Sequence, residues 1–189
     1  MFLGEYGTMI ITRYPCLYFE KYFKSIMGRT LLCAEPQLPM NLIVATAHYE
    51  SLKPNESVRK QQLLDSFKLI KAAEKDSHKF HSVIVGDFNF NSTWKKEEAV
   101  LTDNGFKDQM HDFLDKKAFT MAAKGKYSAW RPDKVVMRDH EAGTNGKCWK
   151  VTKAEIVGDQ EVLQASQALE GIRTPSDHYG IVVDFSYTN

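Results

Sequence analysis

The pattern of this chain predicts a mixed α/β or α+β layered domain, on three observations. Six short, β-branched segments are bounded by Gly, Pro, Asp or Asn, as strands are. One long stretch between two of them repeats its apolar residues at helical spacing. Strands alternating with few helices, and no linker-like composition between them, fit one layered unit.

In order, the predicted strands are Thr8–Arg13, Thr30–Ala34, Asn41–His48, Ser82–Asp87, Asp133–Met137 and Gly180–Ser186. Asn41–His48 and Ser82–Val85 are nearly continuous apolar runs, as expected of strands covered on both faces. The helix between them is capped by Asn55 or Ser57. It carries Val58, Leu63, Phe67 and Ile70 on one face and runs through Ala73, with Lys71, Lys75 and Lys79 at its solvated end. Asp159–Leu169 is a second, weaker helical pattern, and Gly125 and Gly143–Gly146 mark loops.

Composition excludes several classes. Lys+Arg 25 against Asp+Glu 24 in 189 residues gives a net charge of +1, so no bulk-charge binder of nucleic acid is expected. At 43% hydrophobic and 26% charged the chain is globular, not disordered. Its longest apolar runs are too short for a bilayer-spanning helix, so no membrane partner is expected. Met1–Ile11 lacks a basic start followed by an apolar block, and the three cysteines, Cys16, Cys33 and Cys148, form no disulfide frame. An intracellular location, nucleus or cytoplasm, follows as the expectation. Oligomeric state is not legible.

Chemistry gathers at strand ends. Val83–Val85 stops abruptly in Gly86-Asp87-Phe88-Asn89. Continued as a strand, this would point the Asp87 carboxylate and the Asn89 amide the same way, where they could hold a divalent ion, a water or a phosphate oxygen. The alternative is a turn, which Gly, Asp and Asn also favour. Ser176-Asp177-His178 puts an acid beside an imidazole just before the strand at Gly180. His48, Glu50 and Ser51 follow the strand Asn41–Ala45, and Asp133 opens another.

Together and in this order, H-x-E-S, G-D-x-N, Asp133-Lys134-Val135 and S-D-H resemble the endonuclease/exonuclease/phosphatase superfamily. Within it the chain is most similar to the branch of tyrosyl-DNA phosphodiesterases that act on 5′ ends. Arg59 and Gln62–Leu63 in the helix, Gly28–Cys33 and Tyr6 match that branch in kind and spacing. The resemblance implies a four-layer α/β/β/α sandwich with its active site where strand ends of two sheets meet. It implies Mg2+-dependent (or Mn2+-dependent) phosphodiester hydrolysis, and nucleic acid with an adduct on its 5′ end as the partner, a DNA-repair chemistry. Carried over residue by residue, Asp87 would orient or deprotonate the attacking water and Asn89 would hold the phosphate. His178 would bind the scissile phosphate, with Asp133 orienting its ring. Asp177 and Asp87 would stand on the metal side. His48 and Ser51 would contact phosphate, and Tyr6 and Arg29 would line the cleft. Tyr127 could stack a base.

The sequence departs from the family in two ways. Residues 1–189 are expected to form one domain that is incomplete at its N-terminus, without the first strands of the fold. The family's Asn-bearing strand end and the Gln-Glu that carries its principal Mg2+ ligand have no counterpart. An aromatic Thr-Trp pair that helps the branch grip DNA reads Thr120-Met121. Two alternatives therefore accompany the nuclease reading: hydrolysis of another phosphate ester, and a non-catalytic relative that binds nucleic acid or protein.

Overall fold

The computed structural model describes residues 7–37, 42–76, 81–138, 148–158 and 176–188. Eight strands and two α-helices follow in the order β1 (Cys16–Tyr22), β2 (Thr30–Pro36), β3 (Leu42–His48), α1 (Glu56–Asp76), β4 (His81–Asp87), α2 (Lys95–Asp103), β5 (Phe106–Asp108), β6 (Asp133–Arg138), β7 (Cys148–Val157) and β8 (Gly180–Thr188). Six strands make one sheet in the order β1-β2-β3-β4-β6-β5, and β7 and β8 pair as a second. Among the described strands only β3 and β4 run parallel, because α1 carries the chain back across the sheet between them.

The large sheet is packed on both faces. On one side α1 inserts Leu63, Phe67 and Ile70, which are i, i+4 and i+7 on one helix face and fully buried against Ile43, Ile84, Leu101 and Phe106. Each such side chain contributes roughly 1.5–3 kcal/mol of burial. On the other side Val83, Val135, Met137 and Leu42 meet Val151, Ile181, Val183 and Phe185 of the two-stranded sheet. Cys33 lies in the first core, where burial pushes its thiol up to about 12, so it is no nucleophile. No helix among the described residues is long and apolar enough to cross a membrane.

Five of the six expected strands are present. Thr8–Arg13 is not a strand; β1 begins three residues later, at Cys16, and pairs antiparallel with β2 from Cys16↔Pro36 to Tyr22↔Thr30. Thr8–Arg13 has the β-branched composition but pairs with no strand among the described residues, whereas β1 pairs with β2. The patterns at Asp159–Leu169 and Gly143–Gly146 lie outside the described residues. The sequence did not announce β5, β7 or α2.

α1 also has a second buried stripe, and it is polar. Arg59, Gln62 and Ser66 are spaced three and four apart and are all buried. Each bonds the segment where β3 leaves the sheet. Arg59 donates to the Glu50 and Leu52 carbonyls at 2.8 and 3.2 Å. Gln62 accepts from the Glu50 N–H at 2.8 Å, and Ser66 accepts from the Tyr49 hydroxyl at 3.1 Å. The second Arg59 amine meets buried Glu97 at 2.7 Å. The exit of β3 is thus fixed by these side chains together with one backbone bond, Tyr49 N–H to Asp87 O at 2.9 Å.

Gly86 sits at φ +134°, and a Cβ there would fall 2.2 Å from the Ala47 carbonyl oxygen of β3. Backbone crowds it, so no side chain can yield. Gly125, at φ +59°, has nothing within 4 Å of its would-be Cβ. We expect Gly86→Ala to lower unfolding free energy in denaturant by more than about 2 kcal/mol, combining a strained dihedral with a backbone clash, and Gly125→Ala to lose about 1 kcal/mol. Equal losses at the two positions would contradict this packing.

Candidate active site

Three rim residues stand side by side because of strand register. His48 ends β3, Asp87 ends β4 and Asp133 opens β6; His48 pairs with Asp87, and Asp87 pairs with Asp133. His48 Nε2 lies 3.2 Å from Asp87 Oδ2. From the second sheet, His178 precedes β8 and places Nδ1 2.8 Å from Asp133 Oδ2. The same oxygen accepts from the Thr120 hydroxyl. The backbone fixes this approach: Tyr179 N–H donates to Thr120 O at 2.6 Å, and His178 N–H donates to Ser176 Oγ at 3.0 Å. One residue, Asp133, therefore joins the ends of both sheets.

The Gly-Asp-x-Asn segment turns rather than continuing as a strand. Asn89 adopts φ +53°, a left-handed conformation that Asn tolerates better than most residues. Asp87 Oδ1 accepts from the Asn89 N–H at 2.7 Å, and Asn89 Nδ2 donates to Tyr49 O at 2.9 Å. The turn and the functional placement coincide, since the turn is what swings Asn89 into the cleft wall. That cleft has a volume of about 930 Å3 and is also lined by Ser51, Asp177, His178 and Tyr127.

The charges are unequal. Burial, with the Asp133 carboxylate opposite, pushes Asp87 up to about 6; the Asn89 N–H, His178 and Arg29 pull the other way. Burial, then Arg29 and His178, push His48 down to about 4, outweighing the attraction of Asp133 and Asp177. Contact with Asp87 alone would favour an imidazolium, but burial and the two cationic neighbours leave the ring neutral at pH 7, with Nε2–H donating to Asp87. His178 moves upward, chiefly through its hydrogen bond to Asp133.

The other nominated residues scatter. Ser51 Oγ accepts from Arg29 Nη2 at 2.9 Å and faces the cleft. Arg29 is 6% exposed and bonds Ser51 from behind, because the loop before β2, closed by the Arg29 N–H on Ser25 Oγ, turns it inward. Tyr127 is 69% exposed on a Lys124–Tyr127 hairpin at the cleft mouth. Tyr6 lies outside the described residues. Glu50, next to the rim, is fully buried, and its Oε2 already accepts from Ser25 Oγ, Ile26 N–H and Gln62 Nε2 at 2.6, 3.3 and 2.9 Å. It holds the loop and is not placed to hold an ion.

Two residues at the site were not foreseen in these roles, Trp94 in the cleft and Thr120 buried behind it. Trp94 stacks on Trp130 at 6.3 Å between ring centroids and 21° between planes. Thr120 shares Asp133 with His178. Met121, where the resembled branch carries Trp, forms an isolated bridge with Trp130, whose indole N–H donates to Met121 Sδ at 3.0 Å.

Among the described residues no group of three His, Cys, Asp or Glu side chains is arranged to hold a metal. The nominated pair is Asp87, already bonded by Asn89 N–H and His48, and Asp177, exposed at the cleft. Mg2+ usually keeps several waters and takes only one or two protein carboxylates. The two carboxylates do not fit a closed, all-protein site.

No family model matches the chain, and no curated protein matches it in sequence. Solved structures do. D. rerio TDP2 complexed with single strand DNA product is 20% identical with a TM-score of 0.67, covering 90% of this chain and 68% of that one. An endonuclease/exonuclease/phosphatase from Beutenbergia cavernae is 17% identical with a TM-score of 0.67, covering 93% and 46%. The human Nocturnin catalytic domain with bound sulfate anion is 16% identical with a TM-score of 0.64, covering 93% and 60%. The chain has the endonuclease/exonuclease/phosphatase fold. It spans about two thirds of the TDP2 chain and about half of the bacterial one. Structural neighbours with this fold are phosphate-ester hydrolases. The described residues supply a helical layer and two packed sheets of that architecture.

The opposed histidine shifts are directly measurable. In an NMR pH titration His178 is expected to titrate above its ordinary 6.5 and His48 far below it, near 4. Asp133→Asn lowers the His178 midpoint. A His178 that titrates below 6.5 in the parent chain contradicts the geometry.

Proposed function

We propose that this chain is a phosphodiester hydrolase acting on nucleic-acid ends, with a 5′ adduct such as a tyrosyl group as its leaving group. The observation that carries the reading is one cleft lined by the His178 imidazole and the Asn89 amide, the first oriented by Asp133 and the second bonded to Asp87. The single-stranded DNA product held by D. rerio TDP2 supports nucleic acid as the substrate class.

The chemistry follows from the charges. A phosphorus–oxygen bond forms to water while the bond to the leaving oxygen breaks. Asp87, ionised at pH 7 but raised to about 6, takes the proton that the water loses. His178 keeps its proton, because Nδ1–H is tied to Asp133, and Nε2–H donates to a phosphoryl oxygen as negative charge grows there. Asn89, fixed by Tyr49 O and Asp87, holds a second phosphate oxygen. His48, neutral, donates to Asp87 and keeps that carboxylate aimed. The leaving oxygen departs with the electron pair of the broken bond and is protonated by solvent. Mg2+ or Mn2+ at Asp87 and Asp177 would supply positive charge to the phosphate oxygens.

The two-carboxylate set also favours a second reading, a non-catalytic relative that binds nucleic acid or protein. The test is hydrolysis of a 5′-tyrosyl oligonucleotide and of a plain nitrophenyl phosphodiester, side by side, with Mg2+ or Mn2+ supplied. On the reading above the chain cleaves at least one of them. His178→Ala and Asp87→Asn each slow cleavage by about two to four orders of magnitude. Asp133→Asn costs less, because it only frees the ring. Near-full rates in the two variants refute the assigned roles, and no cleavage of either substrate by the parent chain hands the lead to the binding reading.

A further inference from the structure

Asp133 carries His178, yet its own strand holds it on one side only. β6 lies between β4 and β5. β4 reaches Asp133, since Asp87 pairs with it, but β5 is three residues long and stops at Asp108, opposite Val136. Asp133, Lys134 and Val135 therefore have no strand beside them on the β5 edge among the described residues. A strand end in that position frays unless other groups satisfy its backbone.

Side chains take the place of the ladder there, and they converge on Asp108. Its carboxylate is fully buried. Oδ1 accepts from the Met110 N–H at 3.1 Å and so caps the short helical turn Gln109–Asp112. Oδ2 receives Arg131 Nη2 at 2.9 Å, and the other amine of the same guanidinium, Nη1, donates to the Asp133 carbonyl at 3.0 Å. Arg131 is thus a fork, with one tine on the last carboxylate of β5 and the other on the backbone of the first residue of β6. Fully buried Lys134 adds its Nζ at 3.7 Å from the same Oδ2. Asp133 is flanked in sequence by two cations that share one anchor. Neither Asp108 nor Arg131 is among the residues that line the cleft, so both act on it through Asp133.

Buried ion pairs cost free energy to form, and apolar residues of matching shape often serve stability better. What an apolar residue cannot supply is a donor aimed at one carbonyl. We propose that Arg131, clamped by Asp108, is a positioning residue for hydrolysis, fixing the Asp133 backbone so that the Asp133 carboxylate meets the His178 ring. The role rests on the phosphodiesterase reading for the reaction that profits from it. Its geometry rests on the His178–Asp133 contact, which can be read without any reaction.

The experiment is nitrogen-15 NMR of the histidine rings in the full 189-residue chain, at alkaline pH where the His178 ring carries a single proton. In the parent chain that proton is expected on Nδ1, facing Asp133, and Asp133→Asn assigns the signal by moving it. Arg131→Lys keeps a cation beside Asp108 but replaces the planar fork with one ammonium. It is expected to leave the thermal midpoint within about 4 °C of the parent and yet to turn the His178 signal into a mixture of the Nδ1–H and Nε2–H tautomers. Asp108→Asn, whose single oxygen cannot serve both Met110 and Arg131, is expected to do the same. Glu74→Gln is the control, because it breaks the ion pair with Arg138 at the opposite end of β6. It is expected to leave the His178 tautomer as in the parent. On whichever diester the parent cleaves, Arg131→Lys is expected to lower kcat about ten- to a hundredfold and to keep KM within about twofold. An unchanged tautomer in Arg131→Lys, an equal change in Glu74→Gln, or a parent ring without the Nδ1 proton overturns the positioning role. The two readings fail separately. A tautomer change in Arg131→Lys with no hydrolysis by the parent keeps the fork and removes the enzyme. Hydrolysis at the parental rate by Arg131→Lys, with the ring unchanged, keeps the enzyme and removes the fork.

Discussion

The contact between His178 and Asp133 is the constraint on which the site depends. His178 arrives from the two-stranded sheet and Asp133 from the six-stranded one, and their 2.8 Å bond is where the two sheets' polar ends close on each other. Hydrophobic packing between the sheets sets their spacing but is non-directional and does not orient a ring. The hydrogen bond does, since it holds a proton on Nδ1 and leaves Nε2 toward the cleft. Thr120 on the same oxygen, with its own backbone carbonyl bonded by Tyr179 N–H, ties the approach of His178 to the carboxylate that receives it. Register completes the arrangement. Once β4 and β6 are paired antiparallel, Asp87 is opposite Asp133, and the parallel β3 sets His48 beside Asp87.

Behind this rim lies an unusual amount of buried charge. Asp108, fully buried, receives Arg131 at 2.9 Å and has Lys134 Nζ at 3.7 Å; Arg131 also donates to the Asp133 carbonyl at 3.0 Å. Lys134 lies 4.6 Å from the Phe90 ring centroid, under the turn that carries Asn89. On the other flank Arg59–Glu97 and the Glu50–Gln62–Ser25 set fix the exit of β3. Burying ions costs free energy, and apolar replacements of matching shape often stabilise such sites. Their value here is positional. Each supports a strand end or turn that carries a rim residue, where few backbone bonds remain, Tyr49 N–H to Asp87 O and Phe88 N–H to Pro132 O among them.

The rim was legible in the sequence because its residues cluster in short motifs at strand ends. Apolar runs locate β3, β4, β6 and β8 by themselves, and Asp87, Asn89, Asp133 and His178 flank those runs. What was not legible depends on distant contacts. β1 is a sheet edge whose side chains are mostly exposed, Leu17 and Tyr18 among them, so neither alternation nor an apolar run marks it. Arg59 and Gln62 stand out in the sequence only through the resemblance, and that they and Ser66 are buried shows only once Glu50 and Tyr49 lie over them. Trp94 follows Asn91, Ser92 and Thr93, a loop composition, and acquires meaning only when Trp130 is brought against it. Arg29 looks available to a ligand in sequence but is turned inward by the backbone of Ser25–Arg29, where Ser25 Oγ accepts from the Arg29 N–H at 2.9 Å. Asn89 was legible in both of its aspects, since a turn-forming residue and a phosphate-facing amide are here the same thing.

The most direct test of this account is a double-mutant cycle on folding stability between Asp133→Asn and His178→Gln, run at pH 6 where the imidazole is charged. If the two side chains join the sheets as described, the cycle returns a coupling of about 1–2 kcal/mol, and the second substitution costs little once the first is made. Losses that add within about 0.5 kcal/mol would mean that the two side chains do not depend on each other. The central contact would then not be what holds the two halves of the site together.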